Sequence, residues 1–537
     1  MRILVAEQLA PEGVAILRAA HDVDEKIGLS KEEYLAILPE YDALVVRSQV
    51  QVDADMIARG ERLAVIGRAG VGVDNVDLEA ATRAGITVVN APTGNTIAAA
   101  EHTLALMYAL ARNIAAADAS FRRGEWKRAQ LTGVELRGKT LGLVGFGKIG
   151  QAVAIRARAM EMTILIYDPF VTADQAALHG AEVVDLDAIL ARSDVLSLHV
   201  PKNRTTTGMI GAAELARMKP TAFLLNVARG GVVDEQALAD ALAAGTIAGA
   251  AVDVYTQEPP AADNPLRNAP HTVLTPHLGA STAEAQVRVA VEASQQVLDV
   301  LAGRPARYAV NAPLLGPETA SALAAYLPLA ETLGSFVRQY LRGPVESLSV
   351  KVAGEIAFYE TSPLTAATLR GLLEGSTTER VNLVNASHLA KSRGISVTER
   401  RSDDAGSYAS LLTIRAEAGG RTAIVAGTIE VQQQRLVRID DFRLDMEPVA
   451  SMLMTSHHDR PGIVGRIGAL LGAADVNISA MTLARSARRA EALMLLALDE
   501  PVPDDVAAAI RREDAIIDDW VLRLGPDGAG ASDGHGA

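Results

Sequence analysis

Three charged residues in the middle of the chain have side chains that could together support the oxidation of a 2-hydroxy acid. They are Arg229, Glu258 and His277, and each follows a short apolar run typical of a buried strand. The His277 imidazole can take and return a proton near neutral pH. The Arg229 guanidinium can bind a carboxylate through two hydrogen bonds and polarise the adjacent carbonyl. Glu258, if paired with His277, would orient the imidazole ring.

Each of these residues alone also has a structural explanation. A single histidine at a strand end is more often structural, and a single charged residue in a loop is usually solvated. The oxidation further needs a cofactor that accepts the hydride. The interpretation therefore depends on whether the same part of the chain could bind such a cofactor.

A glycine-rich loop upstream of the three residues is typical of dinucleotide binding. The strand candidate 141–144 leads into Gly145-Phe146-Gly147-Lys148-Ile149-Gly150, and a helical pattern follows. In such a loop the first glycine permits a tight turn, the second lets the backbone approach a pyrophosphate, and the third allows close helix–strand packing. Asp168 ends the next strand candidate, where a carboxylate accepts hydrogen bonds from a ribose diol and repels a 2′-phosphate. The sequence therefore predicts NAD rather than NADP.

Alternating strand and helix patterns place these residues in two doubly wound α/β units. We expect four strands in the first unit and six in the second, followed by a helix that crosses back to the first unit over 283–301. A long helix is expected over 96–119. The charged residues and the glycine loop then lie at carboxyl ends of parallel strands, where ligands bind. The predicted strands are 3–5, 43–46, 63–66, 86–89, 141–144, 163–167, 195–199, 223–226, 249–252 and 272–274.

The remainder of the chain has a different pattern. An α+β segment follows residue 313, with strand candidates at 347–352, 410–416 and 422–431 and no group of residues suited to catalysis. A β-α-β-β-α-β pattern then predicts a ferredoxin-like unit. Its expected elements are 451–456, 462–474, 477–484, 491–498, 504–511 and 516–522. The last segment, 525–537, is mostly Gly, Ala, Ser and Asp, and we expect it to be disordered.

Composition excludes several classes of protein. A chain of 537 residues corresponds to about three or four domains. Because the sequence contains no cysteine, disulfides, thiol catalysis, iron–sulfur clusters and Cys-ligated zinc are excluded, and we expect no metal site. A net charge of −14 argues against a nucleic-acid partner. With no long apolar stretch and no leader-like N-terminus, we expect a cytoplasmic protein with no membrane partner.

The motifs taken together resemble the D-isomer-specific 2-hydroxyacid dehydrogenase family over about residues 1–313. The resemblance implies a flavodoxin-like substrate domain and a Rossmann NAD domain, with the active site in the cleft between them. It also implies that Arg229 binds the substrate, that Glu258 is the partner of the histidine, and that His277 donates and accepts the proton. The residues that carry the resemblance are 143–150, Asp168, 198–201, 226–235, 253–259 and 277–280.

The same resemblance implies domain boundaries and a set of NAD contacts. The substrate domain would span 1–95 and 285–313, the NAD domain 96–284, an intervening regulatory domain 314–446, and a domain resembling the ACT regulatory module 449–524. The expected NAD contacts are Val71, Gly145, Gly147, Lys148, Ile149, Gly150, Asp168, Val200, Val227, Ala228, Arg229, Asp253, His277, Leu278, Gly279 and Ala280.

The whole chain is similar to the long-chain members of the family that oxidise 3-phospho-D-glycerate in the first step of L-serine biosynthesis. The segment 67–77, Gly-Arg-Ala-Gly-Val-Gly-Val-Asp-Asn-Val-Asp, resembles their substrate-domain signature. A substrate with a phosphate and a carboxylate needs several cations. We expect Arg47 and Arg68 on the phosphate side, Arg128 with Lys127 as further cations from the same or a partner subunit, and hydrogen bonds from 90–96.

The ACT-like unit suggests control by an amino acid. In amino-acid-binding members of that module, a loop after the first strand and an asparagine before the second bind the ligand at a dimer interface. Here the matching residues are His457, Asp459 and Asn477, and L-serine is the expected inhibitor. The alternative is a dimerisation module without a ligand. The resemblance implies a homodimer or a homotetramer.

Two other functions remain open at the level of sequence. One is a related dehydrogenase that reduces glyoxylate, hydroxypyruvate or 2-oxoglutarate. The other is an NAD-sensing, corepressor-like binding protein on the same scaffold, which would have negligible turnover.

Overall fold

The computed structural model describes residues 1–313, 317–377, 379–487 and 489–524. The segment 525–537, predicted to be disordered, lies outside the described residues. Within these ranges no helix combines the length and apolar composition needed to cross a membrane.

The first unit is a parallel five-stranded sheet in the order β2-β1-β3-β4-β5, which is the flavodoxin-like arrangement. One more strand is present than predicted, because β2 is a polar edge strand with no apolar run to reveal it. The strands are β1 (Arg2–Val5), β2 (Asp22–Glu25), β3 (Ala43–Val46), β4 (Val65–Arg68) and β5 (Thr87–Asn90). The helices are α1 (Pro11–Arg18), α2 (Lys31–Ile37), α3 (Ala54–Arg59) and α4 (Leu78–Arg83), with a 3-10 turn at Leu38–Glu40.

The second unit is a parallel seven-stranded sheet with the Rossmann strand order and one added strand. Six strands were expected, and the additional one is a three-residue edge strand, 181–183. Its strands are β6 (Thr140–Val144), β7 (Thr163–Tyr167), β8 (Ala181–Val183), β9 (Val195–Leu198), β10 (Phe223–Asn226), β11 (Gly249–Val252) and β12 (Thr272–Leu274). Its helices are α5 (Thr96–Ala111), α6 (Ile114–Arg122), α7 (Lys148–Ala159), α8 (Ala173–Leu178), α9 (Leu186–Arg192), α10 (Ala212–Leu215) and α11 (Glu235–Ala243), with 3-10 turns at Arg128–Leu131 and Pro265–Asn268.

The predicted single helix over 96–119 is wrong. Asn113 takes a left-handed conformation with φ of 53°, which ends α5 and starts α6 in a new direction. Asparagine tolerates this conformation better than most residues, and its side-chain amide donates to the carbonyl of Thr132 at 3.3 Å. The Ala-rich sequence on both sides gives no sign of the break.

The predicted return helix is α12 (Ala283–Leu301). Its buried side chains, including Ala290 and Val297, are part of the apolar core beneath the first sheet. A Cβ on Gly67 of β4 would lie 2.5 Å from Val297, so a glycine is needed where helix and sheet pack. The chain therefore crosses from the second unit back to the first before it continues.

The third unit is a mixed six-stranded sheet with helices, in the order β14-β13-β15-β16-β17-β18. The β13–β14 pair is parallel and the other pairs are antiparallel. The strands are β13 (Ser347–Gly354), β14 (Ser396–Ser402), β15 (Ser410–Ala418), β16 (Arg421–Glu430), β17 (Gln433–Ile439) and β18 (Phe442–Met446). The helices are α13 (Pro317–Leu323), α14 (Tyr326–Leu341), α15 (Ser362–Leu373) and α16 (Ala386–Ser392), with a 3-10 turn at Glu355–Phe358.

The fourth unit has the predicted ferredoxin-like arrangement, an antiparallel sheet in the order β20-β21-β19-β22 with two helices. The strands are β19 (Ser451–His458), β20 (Ile478–Arg485), β21 (Glu491–Leu498) and β22 (Ile516–Arg523), and the helices are α17 (Ile463–Ala473) and α18 (Asp504–Arg511).

Specific contacts join the later units to each other and to the first. The Trp520 indole N–H of β22 donates to the carbonyl of Tyr340 at the end of α14, at 3.0 Å. In the third unit, the Asn382 amide donates to the carbonyl of Gly85, between α4 and β5, at 2.6 Å. The fourth unit thus contacts the third, and the third contacts the first unit, which carries Arg68.

Candidate active site

The His277 and Glu258 side chains form the pair that their residue types suggested. The His277 Nδ1 lies 2.6 Å from Glu258 Oε2, and Glu258 Oε1 accepts from the N–H of Tyr255 at 3.0 Å. Burial opposes the charged form of Glu258, but the hydrogen bonds from His277 and Tyr255 outweigh it and hold the pKa of this carboxyl below its usual range. The carboxylate therefore stays ionised beside an imidazole whose Nε2 is available to a ligand.

A buried carboxylate holds the loop that carries His277. Asp253, which follows β11 and is fully buried, accepts from the N–H groups of Leu278 and Gly279 at 2.8 and 2.9 Å and from the Thr275 hydroxyl at 2.6 Å. Burial disfavours its charged form, yet hydrogen bonds from His102, Thr275 and Leu278 lower its pKa overall. His277 itself has φ of 55°, so the loop is held in a conformation that few residues adopt freely.

Arg229 reaches across to the first unit. Its backbone turn after β10 is shaped by buried Asn226, whose amide donates to the Arg229 carbonyl at 3.1 Å. The Arg229 Nε donates to Asp74 Oδ2 of the first unit at 3.2 Å. Gly230 packs against the carbonyl of Tyr255, so the loops that carry Arg229 and Glu258 are in contact.

The glycine-rich segment after β4 brings two guanidinium groups to one loop. A Cβ on Gly70 would overlap the Arg68 guanidinium, and a Cβ on Gly72 would overlap that of Arg229. The two arginines come from different units of the chain. Glycine at both positions therefore lets two cations approach the same short stretch of backbone.

Arg68 is a mostly buried cation whose Nε has no hydrogen-bond partner among the described residues. Burial, with a smaller contribution from Arg229, lowers its pKa to about 10. Arg47 is also close enough to repel it. The loop of Arg47 is held by buried Glu7, which accepts from the backbone N–H of Arg47 at 2.8 Å. A buried guanidinium with an unsatisfied N–H donor favours the binding of an anion, because the anion supplies the missing charge and hydrogen bond.

The glycine loop between β6 and α7 has the geometry of a dinucleotide site. Gly145 has φ of 94°, and a Cβ there would lie 2.5 Å from the His199 carbonyl. A Cβ on Gly150 would lie equally close to the Gly145 carbonyl, where helix packs on strand. At Gly147, by contrast, a Cβ would meet no atom of the described residues within 4 Å. The second glycine therefore leaves open space at the start of α7, as a bound pyrophosphate requires.

The Asp168 carboxylate lies beside this loop at the end of β7. Its Oδ2 accepts from the N–H of Phe146 at 2.8 Å and its Oδ1 from that of Phe170 at 2.9 Å. Each oxygen keeps a lone pair for a further donor. The residues present fit the adenosine ribose and the pyrophosphate of NAD.

The other expected NAD contacts lie on several loops of the first two units and on helix α7. Val200 lies against Gly145, and Val227 lies against Gly279. The carbonyl of Val71 accepts from the Asn90 amide at 2.5 Å, so this segment is joined to the end of β5. Ile149 is half-buried in α7 and Ala228, Leu278 and Ala280 line the neighbouring loops.

The Lys148 side chain makes a contact that the sequence did not predict. Its ammonium lies 5.4 Å from the ring centre of Tyr308, on the segment that follows α12. Asp74, Glu7 and Tyr308 are three residues of the site region that sequence reasoning missed. Each acts on a residue far away along the chain, so no local pattern could have revealed it.

Two groups of predicted residues are not brought together in the single chain. Arg128 is exposed, and within the described residues it makes no contact with the other predicted substrate cations. Lys127 pairs with Glu125 at 2.9 Å. A contribution of these cations to the site within one chain is therefore not supported.

The residues predicted to bind L-serine are separated from one another in the fourth unit. His457 is buried within β19, and its Nε2 has no hydrogen-bond partner in the described parts of the chain. Asp459 accepts from the N–H of Arg489 at 3.0 Å. Asn477 is exposed and donates to Asp499 at 2.6 Å. No contact among the described residues joins Asn477 to Asp459.

Three family models match successive parts of the chain. Residues 104–279 match the NAD binding domain of D-isomer specific 2-hydroxyacid dehydrogenases. Residues 322–440 match the D-3-phosphoglycerate dehydrogenase intervening domain, and 451–515 match the ACT domain. The second unit is therefore an NAD-binding domain. The third unit is a D-3-phosphoglycerate dehydrogenase intervening domain, and the fourth is an ACT domain, as the sequence suggested.

Similar proteins extend the match to the whole chain. The D-3-phosphoglycerate dehydrogenase of Synechocystis is 46% identical over 97% of this chain and 95% of its own length. That of Archaeoglobus fulgidus is 42% identical over 98% of this chain and all of its own. Among solved structures, a Thermus thermophilus protein of 37% identity matches 58% of this chain and all of its own, with a TM-score of 0.54. The chain belongs to the D-3-phosphoglycerate dehydrogenase family of D-isomer specific 2-hydroxyacid dehydrogenases.

Proposed function

We propose that this protein catalyses the NAD-dependent oxidation of 3-phospho-D-glycerate to 3-phosphooxypyruvate, the first step of L-serine biosynthesis. The observation that carries the proposal is the meeting of two separate cations on one loop. Arg229 and Arg68 both contact the segment 70–72, and Arg229 also lies beside the loop of Glu258. A substrate with one carboxylate and one phosphate has the charges that such a site would neutralise.

The chain's own residues bind the substrate and move its proton. When NAD is bound, it supplies the hydride acceptor. Arg229 binds the carboxylate and polarises the oxygen on the adjacent carbon. His277 takes the hydroxyl proton during oxidation and returns it during reduction. Glu258 holds the imidazole through Nδ1, so that Nε2 faces the proton, and its charge stabilises the imidazolium that forms.

The phosphate is assigned to the first unit. Arg68 is the principal cation in this proposal because it is mostly buried and its Nε lacks a partner in the part of the chain that the structure describes. Arg47, held in place by Glu7, supplies a second. Arg128 would enter only from a partner subunit.

We also propose that the protein is a homodimer or homotetramer, with the second unit at one interface. Helix α6 and the connector that follows it expose large apolar side chains, with Trp126 82% exposed, Phe121 67% and Ile114 55%. Such a cluster is typical of a surface that a partner covers.

L-serine is the effector that we assign to the ACT domain. In this proposal Asp459 binds the ammonium group and Asn477 the carboxylate across a dimer interface, which agrees with their separation in one chain. The cytoplasmic location stays a prediction.

The deciding experiment compares the wild-type protein with His277→Gln. Turnover of 3-phosphoglycerate, followed by NADH absorbance with a trap for the product, should fall by about 100-fold or more in the variant. NADH binding should be retained. Absence of turnover in a wild-type protein that binds NADH would instead favour the corepressor-like alternative. Higher activity with glyoxylate, hydroxypyruvate or 2-oxoglutarate would favour a related dehydrogenase. Separate assays with serine test the assigned effector.

A further inference from the structure

One donor to the buried Asp253 carboxylate comes from outside the loops of the active site. His102 lies in α5, and its Nε2 is 3.1 Å from Asp253 Oδ1 and 3.3 Å from Thr275 Oγ1. The His102 side chain is only 18% exposed. Neither the proton transfer nor the binding of substrate described above uses this histidine.

The neighbouring hydrogen bonds determine which His102 nitrogen carries a proton. The Thr275 hydroxyl donates to Asp253 Oδ1 at 2.6 Å, so its own proton is already used. Both oxygens that face His102 Nε2 are then acceptors. His102 must therefore carry its proton on Nε2 and donate it to the carboxylate.

The donation from His102 bears on the position of His277. The same Asp253 carboxylate accepts from the N–H groups of Leu278 and Gly279, and the Asp253 carbonyl accepts from the N–H of His277 at 2.8 Å. Asp253 thus fixes the residues at and after His277, while His102 fixes Asp253 against α5. Without that donor, a buried carboxylate is left one hydrogen bond short and the loop loses its connection to the helix.

We propose that His102 is a positioning residue for His277. It sets the orientation of the Asp253 carboxylate and, through it, the place of the imidazole relative to the substrate. The inference about turnover rests on the proposed function, whereas the inference about the loop does not. A misplacement of about 1 Å in a reacting group lowers a rate by about 100-fold. The buried hydrogen bond from His102 to Asp253 can therefore control the rate although neither residue transfers the proton.

The kinetic test uses two substitutions that differ in one donor. His102→Leu removes the Nε2 proton, and His102→Gln places an amide N–H near the same position. We expect His102→Leu to lower kcat for 3-phosphoglycerate by about 10- to 100-fold with KM changed by less than about threefold. His102→Gln should recover most of the loss. Glu101→Gln, at the exposed neighbouring position on α5, is the matched control and should keep the wild-type kcat.

Hydrogen–deuterium exchange gives a readout that does not depend on turnover. The peptide that contains 275–279 should exchange at least about fivefold faster in His102→Leu than in the wild type and in His102→Gln. If His102→Leu does not fold, Thr275→Val removes another donor to the same oxygen, with Thr275→Ser as its control, and faster exchange is expected only in the valine variant.

Equal kcat in the wild type and His102→Leu, or equal losses in the leucine and glutamine variants, would overturn the proposal. So would unchanged exchange of 275–279 in His102→Leu, or in Thr275→Val where that variant replaces it. A wild-type protein without turnover would contradict the proposed function alone, because the exchange experiment would still decide the role of His102.

Discussion

Replacing Arg68 by methionine should change stability and substrate binding in opposite directions. Arg68 is mostly buried, and its Nε has no hydrogen-bond partner within residues 1–313, 317–377, 379–487 and 489–524. Burial and the nearby Arg229 lower its pKa by more than two units' worth of proton affinity, to about 10. At about 1.4 kcal/mol for each tenfold change in proton affinity, this fall corresponds to roughly 3 kcal/mol of unfavourable energy for the charged side chain.

Methionine has a similar length and removes the charge without leaving a large cavity. The thermal transition of the Arg68→Met protein without ligands should therefore stay the same or rise by a few degrees. Substrate binding should weaken, because a charge-assisted hydrogen bond to the phosphate contributes about 1.5–3 kcal/mol. The KM for 3-phosphoglycerate should then rise about 10- to 100-fold, whereas activity on D-glycerate, which has no phosphate, should change by less than about threefold.

Scanning fluorimetry and steady-state kinetics on the same preparation measure both effects. Arg83→Met, at an exposed position of α4 in the same unit, is the matched control and should change neither quantity. A lower thermal transition with an unchanged KM in Arg68→Met would refute the reasoning, because Arg68 would then stabilise the fold instead of binding substrate.

Three further substitutions test other parts of the site. In Gly147→Val the new Cβ would meet no described protein atom within 4 Å, so the fold should be retained while NADH affinity, measured by fluorescence titration, falls by about 100-fold or more; unchanged affinity would contradict the pyrophosphate assignment. Glu258→Gln should lower kcat about tenfold through loss of the charge beside the imidazole, and an unchanged kcat would mean that the pair has no role in turnover. Folding lowers the pKa of Asp253. The ionised carboxylate therefore stabilises the fold at any pH above the pKa that Asp253 has in the unfolded chain, and this stabilisation is lost as the pH falls through the pKa that it has in the folded protein. Thermal unfolding should therefore show Asp253→Asn less stable by about 2 kcal/mol near neutral pH, with a difference that narrows below about pH 4; a constant difference at every pH would count against this explanation.

Much of the fold could be predicted because its strands and helices have strong local patterns. Helix α12 and strand β21 have the predicted ends, since the apolar periodicity stops where the element stops. In the two α/β units the missed strands, Asp22–Glu25 and Ala181–Val183, lie at sheet edges, where little burial is needed and the sequence carries no apolar run. The break at Asn113 was missed because alanine-rich sequence continues on both sides.

The contacts of the candidate site also fall into those that the sequence could predict and those that it could not. The meeting of Glu258 and His277 could be predicted because carboxyl ends of parallel strands share one edge of the sheet. The pairing of Arg229 with Asp74 could not, because 155 positions separate them and the contact depends on how two units face each other. The role of Gly72 was hidden for the same reason, since the guanidinium that needs its space belongs to another unit.

The ratio of kcat/KM for 3-phosphoglycerate to that for D-glycerate tests the central claim most directly, because the two substrates differ only in the phosphate. If Arg68 and Arg229 together bind a substrate with two anionic groups, loss of the phosphate contacts should cost about 4 kcal/mol, and the ratio should be about 1,000 in the wild-type protein. The ratio should fall at least about tenfold in Arg68→Met. A ratio near one in the wild type would contradict the assignment of the phosphate to this site.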